Sequence, residues 1–150
     1  MFLEFSDWLI FADKDATRTY CAEEFESRCT CGYCRNFCAT VDAAYPAIRY
    51  FLSKFGVDIE VPESLIPITP ELYQASYAAQ GKILRVGSEP IWVNGIAVTV
   101  EEDSEPDWFI INLGLMSLPW VLSDDPNTIP APYGLSDMLA DIKEKTPQQL

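Results

Sequence analysis

The residues of this chain best suited to chemistry are its five cysteines, which all lie between positions 21 and 38. Four of them form one dense run: Cys29, Cys31, Cys34 and Cys38. Thiolates are the preferred ligands of structural zinc, and two cysteines separated by two residues, as at 31 and 34, are a common zinc-binding spacing. Position 38 lies one helical turn beyond position 34 and shares its face. These four cysteines are therefore the candidate ligands of a possible zinc site, although four-cysteine sites usually consist of two separate pairs and this sequence has only one.

Two other uses of the cysteines remain open. Cys31 and Cys34 precede an apolar helical pattern, and a helix N-terminus lowers the pKa of a thiol, so the pair could be redox-active. Thioredoxin-like proteins carry such a pair after a buried parallel strand, which this sequence does not indicate. Reduced cysteines also serve as small buried apolar side chains. Moreover, Cys29 and Cys31 would point the same way in an extended chain, which makes a compact shell of four thiolates awkward.

Arg35 and Asn36 follow the cysteine pair directly, in the first turn of the expected helix. They could hold the carboxylate or phosphate of a ligand beside the free amides at the helix start. Alternatively, they could pair with Glu23, Glu24 or a backbone carbonyl and fix the corner that leads into the helix. The second hypothesis is favoured, because it requires no ligand.

The sequence lacks the residues on which several kinds of catalysis depend. It contains no histidine, which excludes a histidine general base, a Ser-His-Asp triad and a histidine metal ligand. Its glycines form no phosphate-binding loop. No catalytic residue is predicted, and no cofactor is expected other than zinc.

The net charge of −13, from 23 acidic and 10 basic residues, narrows the choice of partners. Such a surface repels the phosphates of nucleic acids and anionic membranes, so neither is an expected partner. A basic protein is the partner that this charge favours. The acidic residues are densest at positions 101–107, which would lie in a loop.

The sequence also bears on cellular location. The N-terminal segment has no basic residues before its apolar stretch, which is not typical of a signal peptide. The longest apolar stretch, at residues 108–122, is interrupted by polar residues and a proline, so it does not predict a membrane span. An odd number of cysteines argues against a disulfide framework. These features predict a cytoplasmic protein with reduced thiols.

One long helix is the clearest element of the sequence. Apolar residues recur at steps of three and four over residues 34–55, which gives one apolar stripe. Pro46 lies within this pattern and cannot donate a backbone hydrogen bond, so it predicts a kink or two abutting helices with the proline in the first turn of the second. Gly56 would end the helix.

The remaining pattern indicates strands. Residues 8–11 and 17–21 predict a hairpin about a turn at 13–15, and residues 91–100 predict another about the pair Asn94-Gly95. The other expected elements are a loop at 57–70, extended chain at 72–86 with a turn at 80–81, a strand at 108–113, and a terminal helix at 136–145 that Ser136 caps. Together they predict a single α+β domain over residues 1–150, in which an antiparallel sheet carries the long helix.

Cys31-x-x-Cys34 followed by Arg35, Asn36 and Phe37 resembles a segment of a family of small uncharacterised bacterial proteins, which carry C-x-x-C-R-N-F near the N-terminus. The resemblance covers residues 31–59. It implies a bacterial cytoplasmic protein of unknown activity and brings no catalytic residues. The cysteines at 21, 29 and 38 depart from the family pattern.

Two functions are compatible with these observations. The first is a non-enzymatic, acidic protein-interaction module, comparable to immunity or adaptor proteins only as a class. The alternative is a thiol protein, with either a structural zinc or a redox-active pair at Cys31 and Cys34.

Overall fold

Eight strands and three helices make up the described part of the computed structural model, residues 1–123. The strands are β1 (Phe2–Phe5), β2 (Trp8–Ala12), β3 (Ser64–Thr69), β4 (Leu72–Arg85), β5 (Ile91–Val93), β6 (Ile96–Glu102), β7 (Trp108–Leu113) and β8 (Met116–Ser117). The helices are α1 (Lys14–Phe25), α2 (Gly32–Ala44) and α3 (Pro46–Ser53).

The strands form one antiparallel sheet in the order β1-β2-β4-β7-β6-β5, with β3 and β8 also paired to β4. Strand β4 is its centre: one part pairs with β2 and another with β3, β7 and β8. Residues 80–81 therefore do not form the predicted turn. Gly81, at φ +149°, instead lets the backbone of β2 approach closely, because a Cβ there would lie 2.0 Å from the carbonyl oxygen of Phe11. The predicted α+β class with an antiparallel sheet is confirmed.

Helices α2 and α3 pack on the sheet through their apolar stripe. The ring of Phe37 on α2 lies 6.0 Å from that of Tyr73 on β4, and the ring of Phe55 after α3 lies 5.9 Å from that of Phe109 on β7. All four side chains are fully buried. Burial of each such aromatic contributes about 1.5–3 kcal/mol, so these contacts hold α2 and the end of α3 on the sheet.

The region predicted as one long helix consists of two. Helix α2 ends at Ala44, and α3 begins at Pro46, with Tyr45 between them at φ −133° and ψ 65°. Proline has no N–H to donate, but it is tolerated in the first turn of a helix, where no donor is needed. Of the two alternatives predicted at Pro46, a kinked helix or two abutting helices, the structure contains two abutting helices. Gly56 follows α3 at φ +83°, as expected for a glycine that ends a helix.

The hairpin predicted at residues 8–11 and 17–21 is wrong. Strand β2 pairs with β1 instead, and residues 17–21 belong to α1. Asp13 caps this helix through its Oδ1, which accepts a hydrogen bond of 3.1 Å from the amide of Ala16. The β-branched Thr17 suggested a strand, but its hydroxyl is buried and accepts a hydrogen bond of 2.9 Å from the amide of Gln80. A tertiary contact therefore overrides the local propensity.

The other strand predictions have mixed outcomes. The hairpin about Asn94-Gly95 is confirmed, with both residues at positive φ, and so is the strand at 108–113. The loop at 57–70 is only partly correct, because β3 begins at Ser64 and contains Pro67. The terminal helix at 136–145, with Ser136, lies outside the described residues. No helix within residues 1–123 is both long and apolar enough to span a membrane.

Candidate metal centre

Three thiols meet where α1 connects to α2. The Sγ atoms of Cys29, Cys31 and Cys34 all lie within 4.8 Å of one another. Zinc bonded to sulfur at about 2.3 Å in a tetrahedron separates its sulfur ligands by about 3.8 Å. The three sulfurs would each have to move by only about 1 Å or less to bind one zinc ion. The donor set and its spacing therefore fit a thiolate-bound metal.

The start of α2 explains why these thiols converge. Cys31 is the N-cap residue of α2, and its Sγ accepts a hydrogen bond of 3.4 Å from the amide of Cys34 in the first helical turn. The Sγ of Cys29 accepts a hydrogen bond of 3.5 Å from the amide of Cys31. A backbone amide that bonds to a sulfur stabilises negative charge on it, so the sulfur of Cys29 lies where a thiolate is favoured. The crowding expected of Cys29 and Cys31 does not prevent their sulfurs from meeting that of Cys34.

The pKa values of two thiols in the cluster shift in opposite directions. The hydrogen bond from the amide of Cys31, with further bonds from the thiols of Cys31 and Cys34, lowers the pKa of exposed Cys29. Burial, together with the hydrogen bonds to Cys29 and Cys31, raises the pKa of Cys34 far above its ordinary value. In the metal-free protein Cys29 is therefore deprotonated before Cys34. A bound metal would replace the protons that the sulfurs share.

The other two cysteines lie outside this group of three sulfurs. The Sγ of Cys38 is 3.5 Å from the carbonyl oxygen of Glu60 and 3.6 Å from Nη1 of Arg28, and burial raises its pKa to about 11. Cys38 is not among the three cysteines whose sulfurs converge, so its role as a metal ligand remains a prediction. Cys21 on α1 is buried, and burial also raises its pKa. It is hydrogen-bonded with the backbone of Asp58 and does not belong to the main apolar core.

Arg35 and Asn36 both contribute to the structure around the site. Arg35 donates a hydrogen bond of 3.1 Å from Nε to the carbonyl of Thr30, which lies between two of the clustered cysteines. This is the favoured role, in which a backbone carbonyl fixes the corner before the helix. Asn36 is fully buried and holds a segment that is distant in sequence, since its Nδ2 lies 3.0 Å from the carbonyl oxygen of Pro119 and its Oδ1 accepts from the amide of Val121 at 2.9 Å.

A cavity of about 230 Å³ adjoins the cluster. Cys29, Cys34 and Cys38 lie on its wall. Its charged lining residues are Glu24, Arg28, Glu60 and Glu63. This cavity could not be predicted from the sequence, because residues 60–63, which follow α3, form part of its wall. Their only signal in the sequence is an acidic character that many surface segments share.

Comparison with known proteins gave no match: no family model, curated protein or solved structure is similar to this chain.

Proposed function

We propose that this protein is a zinc-binding thiolate protein in which Cys29, Cys31 and Cys34 hold the metal at the start of α2. The observation that carries this proposal is the approach of their three sulfurs to within 4.8 Å of one another. Sites dominated by thiolates are typical of structural zinc, which stabilises a fold without taking part in a reaction.

The metal would stabilise a connection that has little regular structure of its own. Residues 26–31 lie between α1 and α2 and form neither helix nor strand. A zinc ion bonded to Cys29 and Cys31 ties this connection to Cys34, and through α2 to the buried ring of Phe37. Because the ligands come together only in the folded chain, the free energy of metal binding adds to the free energy of folding.

Cys38 is the protein donor best placed to complete four-coordination. It follows Cys34 by one helical turn and faces the same cavity. Its thiol would have to exchange its contact with the carbonyl of Glu60 for a bond to the metal. The proposal for Cys38 is thus separable from the proposal for the three clustered cysteines.

Metal content tests both the zinc site at the three cysteines and the role of Cys38 as a fourth ligand. Protein purified without chelators should contain about one equivalent of zinc, measured by native mass spectrometry and elemental analysis. Cys34→Ser should contain almost none, whereas the matched variant Cys21→Ser, which changes a buried cysteine outside the cluster, should retain it. Cys38→Ser should bind zinc more weakly if Cys38 is a ligand. A wild-type protein without metal, even after zinc is supplied, would contradict the proposal.

The redox hypothesis concerns the same sulfurs. A disulfide between Cys31 and Cys34 would leave no pair of thiolates there for zinc. Thiol counting after mild oxidation distinguishes the two functions: reversible loss of two thiols in metal-free protein, with no affinity for zinc in the reduced state, would favour the redox pair.

An acidic interaction module is a second candidate function, which the acidic residues at the end of β6 and in its connection to β7 support. Glu101 and Glu102 belong to β6, so the loop expected at residues 101–107 begins only at residue 103. Most of residues 101–107 are exposed. One of the acidic residues, Asp107, pairs with Lys82 at 3.3 Å between Oδ1 and Nζ, and Glu101 accepts a hydrogen bond from Asn112. Several carboxylates thus remain at the surface, where a basic protein could contact them.

Ionic strength tests this second function. Capture of a basic protein from lysate should decrease markedly as salt rises, because screening weakens the attraction between exposed charges. Replacing Glu102, Glu105 and Asp103 by their amides should weaken capture while leaving the melting temperature nearly unchanged. The matched control replaces Glu23, Glu24 and Glu26, which lie in the last turn of α1 and at its C-cap. Capture that is indifferent to salt and to both sets of changes would exclude this role for the segment.

A further inference from the structure

We propose that metal binding at the three cysteines and docking of residues 116–121 on α2 stabilise each other, so that loss of the metal loosens this segment. Residues 116–121, which contain β8 and the chain after it, form a segment that we call the strap. The inference depends on the proposed zinc site and adds a conformational consequence to it.

The strap is held by side chains of α2 and by the sheet. Asn36 bonds to it at two points, the carbonyl of Pro119 and the amide of Val121. The ring of Trp120 lies 5.9 Å from that of Tyr33 in an edge-to-face arrangement. The amide of Leu118 donates a hydrogen bond of 2.9 Å to the carbonyl of Glu71, and its side chain is almost fully buried.

The same turns of α2 carry the strap contacts and the metal ligands. Tyr33 directly precedes Cys34, and Asn36 follows it by two residues, so both belong to the first turns of the helix that Cys31 caps. Asn36 is also held by the sheet, since its Nδ2 lies 3.1 Å from the hydroxyl oxygen of Tyr73 on β4. A change in the position of the first helical turn would therefore move both groups that hold the strap.

Zinc binding and docking of the strap should favour each other, because both require an ordered first turn of α2. Zinc binding fixes the first turn of α2, and docking of the strap needs that turn in place for Tyr33 and Asn36 to make their contacts. Once one event has ordered this turn, the other loses less conformational entropy when it occurs. Thermodynamic linkage makes the effect reciprocal, so that a docked strap raises the affinity for zinc by the same factor by which zinc favours docking.

Hydrogen exchange of the intact protein tests the first half of this statement. On chelation of zinc, the amides of Leu118 and Val121 should exchange at least about five times faster, the lower limit of typical coupling factors. The amide of Gly114, which directly follows β7 and donates to the carbonyl of Ala97 on β6 at 2.8 Å, is the matched control and should change much less. Equal acceleration at all three amides would indicate general destabilisation and overturn the coupling.

Zinc affinity of strap variants tests the reciprocal half. Val121→Pro removes the amide that bonds to Asn36 without touching α2, and we expect it to weaken zinc binding about fivefold or more in competition with a chromophoric chelator. Asn36→Ala should weaken it further. Thr40→Val is the control, because it removes a buried hydrogen bond to the carbonyl of Asn36 within α2 but has no bond to the strap.

The outcomes separate this inference from the proposed function. If zinc binds and Cys34→Ser abolishes binding, but the strap amides and the affinities of the strap variants do not change, the coupling is wrong and the zinc site stands. If the wild-type protein binds no zinc, both proposals fail together.

Discussion

Removal of zinc is expected to lower the melting temperature by about 10 °C. At a free zinc concentration of about a thousand times Kd, binding to the folded state alone adds about 4 kcal/mol to the free energy of unfolding. In a protein of this length, each kcal/mol shifts the midpoint by about 2–4 °C. Calorimetry with and without a chelator measures the shift directly.

The cysteine variants provide the control for this result. Cys34→Ser should melt near the temperature of the chelated wild type and should not respond to chelator. Cys21→Ser introduces a hydroxyl into a buried site, so its melting temperature should fall somewhat, but it should still respond to chelator. A wild-type midpoint that is the same with and without chelator would mean that the cysteines hold no stabilising metal.

Gly56→Ala is expected to destabilise the fold by about 2–4 kcal/mol. Gly56 has φ +83°, and a Cβ there would lie 2.2 Å from the carbonyl oxygen of Lys14. Because this neighbour is backbone at the start of α1, the clash can be relieved only by moving α1 away from the end of α3. Denaturant unfolding gives the change in free energy.

Gly95→Ala is the matched control for Gly56→Ala. Gly95 also has a positive φ, of +74°, but no atom lies within 4 Å of the position of a new Cβ. Only the backbone strain remains, which costs about 1 kcal/mol. If the two variants are equally destabilised, strain alone explains both, and the close approach of α1 to α3 has no part in the stability.

The elements that could be predicted from the sequence are those with strong local signals. The Asn94-Gly95 pair requires positive φ at both residues, and it forms the expected turn. Pro46 marks the start of a second helix because proline cannot donate to the preceding turn. In each case, local backbone chemistry determines the structure without help from distant residues.

The elements that were missed depend on partners far away in the sequence. Thr17 lies in a helix because its hydroxyl pairs with the amide of Gln80, which no local pattern indicates. Gly81 looked like a turn residue, yet it lies in the middle of the long strand β4, where β2 needs a neighbour without a side chain. A residue with several permitted conformations takes the one that its tertiary neighbours require.

The candidate site shows the same division. The spacing of Cys31 and Cys34 indicated a thiol site, and the structure brings Cys29 to it as well. The position of Cys38 depends on Arg28 and Glu60, which its spacing from Cys34 does not reveal. The role of Asn36 depends on residues 119 and 121, so its link to the strap could come only from the three-dimensional structure.

Titration of the metal-free protein with Co²⁺ would detect a metal held by these cysteines, because the absorption of bound cobalt reports the bonds between sulfur and metal. We predict saturation at about one equivalent, with a thiolate-to-metal charge-transfer band and the intense visible bands of tetrahedral cobalt, and their loss in Cys34→Ser. Zinc should displace the cobalt and abolish the bands. A spectrum without charge transfer, or one that Cys34→Ser leaves intact, would contradict a metal site at Cys29, Cys31 and Cys34.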